Sequence, residues 1–154
     1  MSGKLDSGKI LFVCTGNICR SPMAQIIFTN LCKSSGSKNM TIKSAGIAAQ
    51  SGERMTAEAR TALKLCGENI GHGKYVSTRF NLSMVQTYDW IITMTKDHAE
   101  YIGGYPNVKT LDEITGSGDI VDPYFFPIEV YVDVCKKLQA ALEILYVKLA
   151  AYNK

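Results

Sequence analysis

The stretch Lys9–Ala24, KILFVCTGNICRSPMA, decides the fold of this chain. It begins with an apolar run from Ile10 to Val13, which is typical of a strand buried on both faces. It ends with Ser21-Pro22, which lead into a helical pattern. The loop Cys14–Ser21, CTGNICRS, lies between the strand and the helix, and it can wind into a small bowl whose backbone N–H groups face inward. The sequence therefore predicts an anion site where the first strand ends.

The residue types in this loop favour phosphate chemistry. A phosphate monoester offers three oxygens to the loop amides, and Arg20 can grip two of them in a planar fork that lysine cannot reproduce. The same positive field favours the thiolate of Cys14, which is the nucleophilic form of cysteine. Ser21 is placed to donate a hydrogen bond to that sulfur. The loop therefore predicts phosphoryl transfer through a cysteine nucleophile.

The run VCTGNICRSP at 13–22, with DPY at 122–124, resembles the low-molecular-weight protein tyrosine phosphatases. The resemblance extends over the whole chain in length and in the order of motifs. It implies one α/β domain over residues 1–154, with three layers and a four-stranded parallel sheet covered by helices on both faces, as in the phosphotyrosine phosphatase I-like fold. It also implies metal-independent and cofactor-independent hydrolysis of protein phosphotyrosine and small aryl phosphates, with acid phosphatase activity, through a cysteinyl-phosphate intermediate.

The resemblance assigns a role to each residue that matches the family motifs. Cys14 is the nucleophile, Arg20 is the phosphate clamp, and Asp122 is the general acid that protonates the ester oxygen and then activates water. Asn17 shapes the loop, and inorganic phosphate or sulfate is expected to bind in it. The implied substrate-binding residues are Thr15, Gly16, Asn17, Ile18, Cys19, Ser21 and Tyr124.

Two residues outside the loop are expected to support it. By resemblance, Ser44 in the segment SAG at 44–46 hydrogen-bonds to the loop, and His72 hydrogen-bonds to Asn17. The alternatives are a small residue at a strand end for Ser44 and an exposed loop histidine for His72. Within the loop, Cys19 can trap a peroxide-oxidised Cys14 as a reversible disulfide, which predicts redox regulation.

The chain departs from the family pattern at three positions near the expected site. Gln50 stands where relatives often have an aromatic wall, Thr15 replaces a larger apolar residue, and Phe125 replaces a second tyrosine. These departures leave the substrate preference and the regulation open. Farther along, Thr95 is expected to cap a helix, and His98 is expected to lie at the surface.

The residues argue against several other functions. An ordinary strand-turn-helix has no need of Cys, Gly, Asn, Arg and Ser at these offsets, and no GxxxxGK[ST] nucleotide loop is present. A thioredoxin-coupled arsenate reductase needs two further cysteines after residue 75, whereas the sequence has only Cys135 there. A catalytically weak phosphotyrosine-binding module would be expected to lack the nucleophile or the acid. The phosphatase is therefore the preferred hypothesis.

Composition is that of an ordinary globular chain of 154 residues, with 46% hydrophobic and 20% charged residues. A net charge of +3 gives no reason to expect nucleic acid binding. The five cysteines show no zinc-ligand spacing and favour a reducing compartment. Residues 1–8 are polar and expected to be flexible, and no signal peptide or membrane span is recognisable, so a cytoplasmic location is expected.

Hydrophobic periodicity predicts the remaining elements. Further strands are expected at 40–44, 88–94 and 107–111. A helix is expected to begin near Pro22 and end at 34–36, and further helices are expected over 54–66, after Thr95 and over 128–152.

Overall fold

The computed structural model describes residues 5–152 and centres them on a four-stranded parallel sheet. The strands occur in the order β2-β1-β3-β4, and each neighbouring pair is parallel. Because β2 lies on one side of β1 and β3 on the other, the chain reverses direction across the sheet at β1. In open α/β sheets such a point leaves a crevice beyond the carboxyl ends of the strands. The strands are β1 Ser7–Cys14, β2 Asn39–Gly46, β3 Trp90–Thr93 and β4 Val108–Thr110.

Helices cover both faces of this sheet, as the sequence predicted. The side chains of β1 alternate between two cores: Ile10 and Phe12 pack in the larger core, and Leu11 and Val13 pack in the smaller one. Helices α1, α2, α5 and α6 contribute to the larger core, whereas α3 and α4 contribute to the smaller one. The three-layer α/β fold is therefore confirmed. The helices are α1 Arg20–Ser34, α2 Ala57–Leu65, α3 Met84–Thr87, α4 Lys96–Ile102, α5 Leu111–Thr115 and α6 Ile128–Tyr152.

The larger core fixes the position of α1, which begins at the end of the loop Cys14–Ser21. The rings of Phe12 on β1 and Phe28 on α1 meet edge to face with centroids 5.7 Å apart. Such a pair contributes roughly 0.5–1.5 kcal/mol beyond the burial of its area. Tyr146 on α6 packs against Phe28 at a centroid distance of 6.2 Å. These aromatic contacts therefore pack β1, α1 and α6 against one another and fix the start of α1 relative to the end of β1.

The N-terminal segment differs from its prediction. The side chain of Leu5 is only 1% exposed, its amide donates to the Tyr146 hydroxyl at 3.4 Å, and β1 already begins at Ser7. The expected flexibility is therefore wrong for residues 5–8, because Leu5 fills the core beneath α6. Residues 1–4, which belonged to the same prediction, lie outside the described residues.

The element boundaries are close to those predicted, with two differences near the edge of the sheet. Leu111, expected to end the last strand, begins α5, because the Thr110 side chain accepts a hydrogen bond from the Glu113 amide and caps a helix there. The short helix α3 was not predicted from the sequence. None of the helices within residues 5–152 combines the length and apolar character needed to cross a bilayer.

Candidate active site

A cavity of about 190 Å³ lies beyond the carboxyl end of β1 and at the N-terminus of α1. Residues 14–20 of the predicted loop wrap around it, and two residues of the later DPY motif close one side. Ser21, which was also predicted to bind substrate, does not line the cavity. The structure therefore brings together residues that are about a hundred positions apart in the sequence. The cavity is lined by Cys14, Thr15, Gly16, Asn17, Ile18, Cys19, Arg20, Asp122 and Tyr124.

The backbone amides of the loop are available to a ligand. None of the backbone hydrogen bonds found among residues 5–152 uses an amide of residues 15–19 as its donor. Buried backbone donors are nearly always paired in folded proteins, so a cluster of free donors around one cavity indicates an anion site. The adjacent N-terminus of α1 adds the positive end of a helix dipole.

The sulfur of Cys14 lies beside a hydroxyl that can donate to it. Cys14 Sγ and Ser21 Oγ are 2.9 Å apart, and both residues are buried. Asn17 Nδ2 donates to the same Ser21 oxygen at 2.7 Å. Because Ser21 Oγ accepts from Asn17, its one proton can be donated either to the sulfur or to the Ala45 carbonyl, which lies 3.4 Å away. The contact with the sulfur is the shorter one, and a proton donated there would stabilise a thiolate.

Asn17 holds the shape of the loop from its centre. It adopts a left-handed backbone conformation with φ of 58°, which asparagine tolerates better than most residues. Its side-chain nitrogen Nδ2 also donates to Ser44 Oγ at 2.9 Å, and its side-chain oxygen Oδ1 accepts from the Thr78 backbone amide at 2.8 Å. Ser44 donates in turn to Gln25 Oε1 at 2.6 Å. Ser44 therefore contacts the loop as the sequence analysis expected.

The expected contact of His72 with Asn17 is wrong. His72 is exposed, and in the described part of the chain Tyr75 contacts Asn17 instead, donating its hydroxyl to the Asn17 carbonyl at 2.7 Å. Burial raises the pKa of the Tyr75 phenol, so it stays protonated and can donate. The segment that the resemblance identified therefore does support the loop, but through Tyr75, three residues after His72.

We expect Tyr75→Phe to lower the free energy of unfolding by about 1 kcal/mol, because the Asn17 carbonyl loses its hydrogen-bond donor. Urea unfolding monitored by circular dichroism measures the effect. His72→Ala is the matched control in the same segment and should stay within about 0.5 kcal/mol of the parent, as exposed positions usually do. Equal stability of Tyr75→Phe and the parent would show that the hydroxyl does not support the loop.

Arg20 is held at the mouth of the cavity by three groups from two segments. Its Nη1 donates to the Ile120 carbonyl at 3.0 Å, and its Nη2 donates to Thr15 Oγ1 at 3.3 Å. Nη2 also lies 3.6 Å from Oδ2 of Asp122, whose side chain is 53% exposed. The Asp122 carboxyl is thus near the cavity, and its other oxygen accepts from the Tyr124 amide at 3.1 Å.

The segment after β2 fits tightly against the loop. The amides of Ile47 and Ala48 donate to the carbonyls of Cys14 and Thr15 at 3.0 and 2.9 Å. A Cβ atom at Gly46 would lie only 2.5 Å from the Thr15 carbonyl oxygen. Glycine is therefore required at position 46 by the close approach of two backbones.

His98 is the second functional residue that the sequence analysis missed. It was expected at the surface, but only 4% of it is exposed, and its Nε2 lies 2.9 Å from Thr15 Oγ1. Thr95 caps α4 as predicted, accepting from the His98 amide at 3.3 Å. That cap places His98 in the first turn of α4 and turns its ring toward the active-site loop.

The remaining predicted residues are placed as follows. Cys19 lines the cavity with Cys14, and burial raises the pKa of its thiol; a disulfide between the two stays a prediction. Gln50 is exposed and is not among the residues that line the cavity. Phe125 is 94% exposed, and its ring meets that of Tyr124 at a centroid distance of 4.2 Å.

Comparisons with known proteins agree with this geometry. The family model described as low molecular weight phosphotyrosine protein phosphatase matches residues 9–154. A protein-arginine-phosphatase from Bacillus subtilis (strain 168) is 35% identical over 140 residues, which cover 86% of this chain and 91% of the relative. The low molecular weight protein-tyrosine-phosphatase PtpB from Staphylococcus haemolyticus is 32% identical over 135 residues, which cover 84% of this chain and 91% of that protein.

A solved structure is also similar. It is a mutant of the arginine phosphatase YwlE with a phosphorylated active-site serine, with a TM-score of 0.82 and 33% identity. The match covers 92% of this chain and 95% of that one. With this similarity in sequence and fold, the chain belongs to the low molecular weight phosphotyrosine protein phosphatase family.

Proposed function

We propose that this chain hydrolyses phosphotyrosine in proteins, and small aryl phosphates, through a phosphocysteine intermediate. The observation that carries the proposal is the convergence of Cys14, Arg20 and Asp122 on one cavity. A nucleophile, a planar cation and a carboxyl group are the groups that phosphate ester cleavage needs at one place. The phosphorylated serine in the YwlE mutant structure supports a covalent intermediate.

In the first step, the Cys14 thiolate attacks phosphorus and the bond from phosphorus to the phenolic oxygen breaks. The Asp122 carboxyl gives its proton to that oxygen, so the tyrosine leaves as a neutral phenol. The loop amides and Arg20 hold the equatorial oxygens, whose charge they stabilise best when the donors are fixed in advance. Ser21 accepts from Asn17, and when the sulfur is a thiolate, the Ser21 hydroxyl can donate to it in preference to the more distant Ala45 carbonyl.

In the second step, water attacks the phosphocysteine. The Asp122 carboxylate takes a proton from the water, the water oxygen bonds to phosphorus, and the bond from sulfur to phosphorus breaks. Inorganic phosphate is released, and the Cys14 thiolate and the Asp122 acid are restored. The same carboxyl therefore serves as acid and then as base, as microscopic reversibility allows.

The walls of the cavity favour a flat apolar leaving group. Ile18 and Tyr124 line the cavity beside the polar loop atoms, and Tyr124 can stack on a substrate ring. A guanidinium group carries several N–H donors that need acceptors. Among the lining residues, Asp122 is the one that carries a carboxylate. The cavity thus offers apolar contacts for a tyrosine ring but only one carboxylate to accept from a guanidinium, and phosphotyrosine is therefore our preferred substrate.

Phosphoarginine is the second candidate, because the Bacillus subtilis relative is named a protein-arginine-phosphatase. Its hydrolysis would use the same nucleophile and clamp but would break a bond from phosphorus to nitrogen. The two substrates therefore differ at the leaving group and not at the loop.

Two peptides of identical flanking sequence, one with phosphotyrosine and one with phosphoarginine, separate these candidates. Dephosphorylation is followed by liquid chromatography and mass spectrometry at neutral pH in EDTA. We expect kcat/KM for the phosphotyrosine peptide to exceed that for the phosphoarginine peptide by at least about tenfold, equivalent to about 1.4 kcal/mol of transition-state discrimination. The reverse preference would assign the chain to arginine dephosphorylation, and turnover of neither peptide would reject both candidates.

A further inference from the structure

The hydroxyl of Thr15 lies between two nitrogen atoms at the edge of the cavity. Arg20 Nη2 lies 3.3 Å from Thr15 Oγ1, and His98 Nε2 lies 2.9 Å from the same oxygen. A guanidinium has only donors, so the contact with Arg20 uses a lone pair of the hydroxyl. The role of the second contact depends on which ring nitrogen of His98 carries the proton.

The backbone of α4 decides that tautomer. The Thr95 amide lies 3.2 Å from His98 Nδ1, and an amide N–H can only donate. The Thr95 hydroxyl lies 3.0 Å from the same nitrogen, and a hydroxyl can donate as well as accept, so this contact is compatible with an Nδ1 lone pair. Nδ1 must therefore present its lone pair, which leaves the proton of the neutral ring on Nε2. His98 consequently donates to Thr15.

The electrostatic surroundings keep His98 neutral. Burial, and next the charge of Arg20, lower the pKa of His98 to about 4. Three nearby carboxylates act in the opposite direction without outweighing these effects: Asp119, Asp97 and Asp122. The ring is therefore uncharged at neutral pH, and the Nε2–H donor persists.

These contacts determine where the Thr15 proton points. A hydroxyl has two lone pairs and one hydrogen. His98 and Arg20 occupy the lone pairs, so the hydrogen points away from both nitrogens. Thr15 is exposed and lines the cavity, which gives that hydrogen a direct path to a bound phosphoryl group.

We propose that His98 is a positioning residue that orients the Thr15 hydroxyl to donate a hydrogen bond to a phosphoryl oxygen of the substrate. The inference rests on the proposed function, because it assigns a further contact within the same site. It also gives a use to Thr15, which replaces a larger apolar residue of the family. The chain thereby gains a side-chain donor in addition to the loop amides and Arg20.

A double-mutant cycle on the full chain tests this coupling, with the affinity for inorganic phosphate measured by titration calorimetry. Thr15→Val removes the hydroxyl, and His98→Leu removes the donor that orients it. We expect each change to weaken phosphate binding about tenfold, as the loss of one hydrogen bond to a charged group would. The double variant should bind about as weakly as either single variant, because both changes remove the same hydrogen bond.

Two further variants separate orientation from folding. His98→Gln keeps an N–H group and should restore affinity to within about threefold of the parent, since one donor replaces another. His72→Ala, the exposed histidine, is the control and should bind phosphate as the parent does.

If His98→Leu bound phosphate as tightly as the parent, the proposal would be overturned. It would also be overturned if the double variant bound phosphate about a hundredfold more weakly than the parent, because independent residues lose affinity multiplicatively. Failure of the parent to bind phosphate would also overturn it. Phosphate binding in the expected pattern without hydrolysis of either phosphopeptide would reject the proposed function and leave the role of His98 intact.

Discussion

Cys14→Ser is expected to lower kcat toward phosphotyrosine peptide by at least about ten-thousandfold. A neutral serine hydroxyl is a much weaker nucleophile than a thiolate, and any phosphoserine that forms is hydrolysed slowly because an alkoxide is a poorer leaving group than a thiolate. The loop amides and Arg20 do not depend on the sulfur. The variant should therefore still bind inorganic phosphate while failing to turn over substrate. Steady-state kinetics and phosphate titration measure the two properties separately.

The control for this prediction is Cys66→Ser. Cys66 is partly buried at the end of α2 and does not line the cavity, so its replacement should leave kcat within about twofold, as for most positions away from special features. Retention of more than about one per cent of the parental kcat by Cys14→Ser would contradict a cysteine nucleophile.

The second large effect is expected from Asp122→Asn, which removes the proposed proton donor without changing the size of the side chain. We expect kcat/KM for phenyl phosphate, which covers the steps up to departure of the phenol, to fall by roughly a hundredfold to ten-thousandfold, because phenolate leaves poorly unless it is protonated. For p-nitrophenyl phosphate the loss should be at least about tenfold smaller, since the nitro group stabilises the departing anion and less acid assistance is needed.

Comparison of the two leaving groups distinguishes acid catalysis from a general loss of structure. A distorted site would slow both substrates equally, and that result would contradict the role of Asp122. The ion pair of Asp122 with Arg20 is half exposed, so its loss should change the free energy of unfolding by at most about 1 kcal/mol. Asp133→Asn, at an exposed position on α6, is the control and should leave both rates unchanged.

The loop could be predicted from the sequence because both its chemistry and its local structure depend on residues that are adjacent in the chain. The apolar run before Cys14 and the helical pattern after Ser21 place the loop, and the residue types between them select an anion. Asp122 was found only through the family resemblance, because an aspartate before proline is also common in ordinary turns.

The residues that were missed act through contacts that local patterns do not encode. Tyr75 reaches the loop from 58 positions away and His98 from 83 positions away. Their positions depend on how the crossover segments of a parallel sheet return to β1, and hydrophobic periodicity gives no register for such segments. His98 also carries the pattern of a surface helix position, and only its cap with Thr95 turns it inward.

The loop that holds Cys14 is shaped by groups from distant parts of the chain: Ser44, Gly46, Tyr75, Thr78, His98 and Ile120. A fragment that contained only β1 and α1 would carry the complete motif without these supports. The geometry around Cys14 is therefore a cooperative property of the native fold. A newly made chain would lack an assembled site at this position until the last contributing segment had docked, and it would acquire the site in the same step in which it becomes stable.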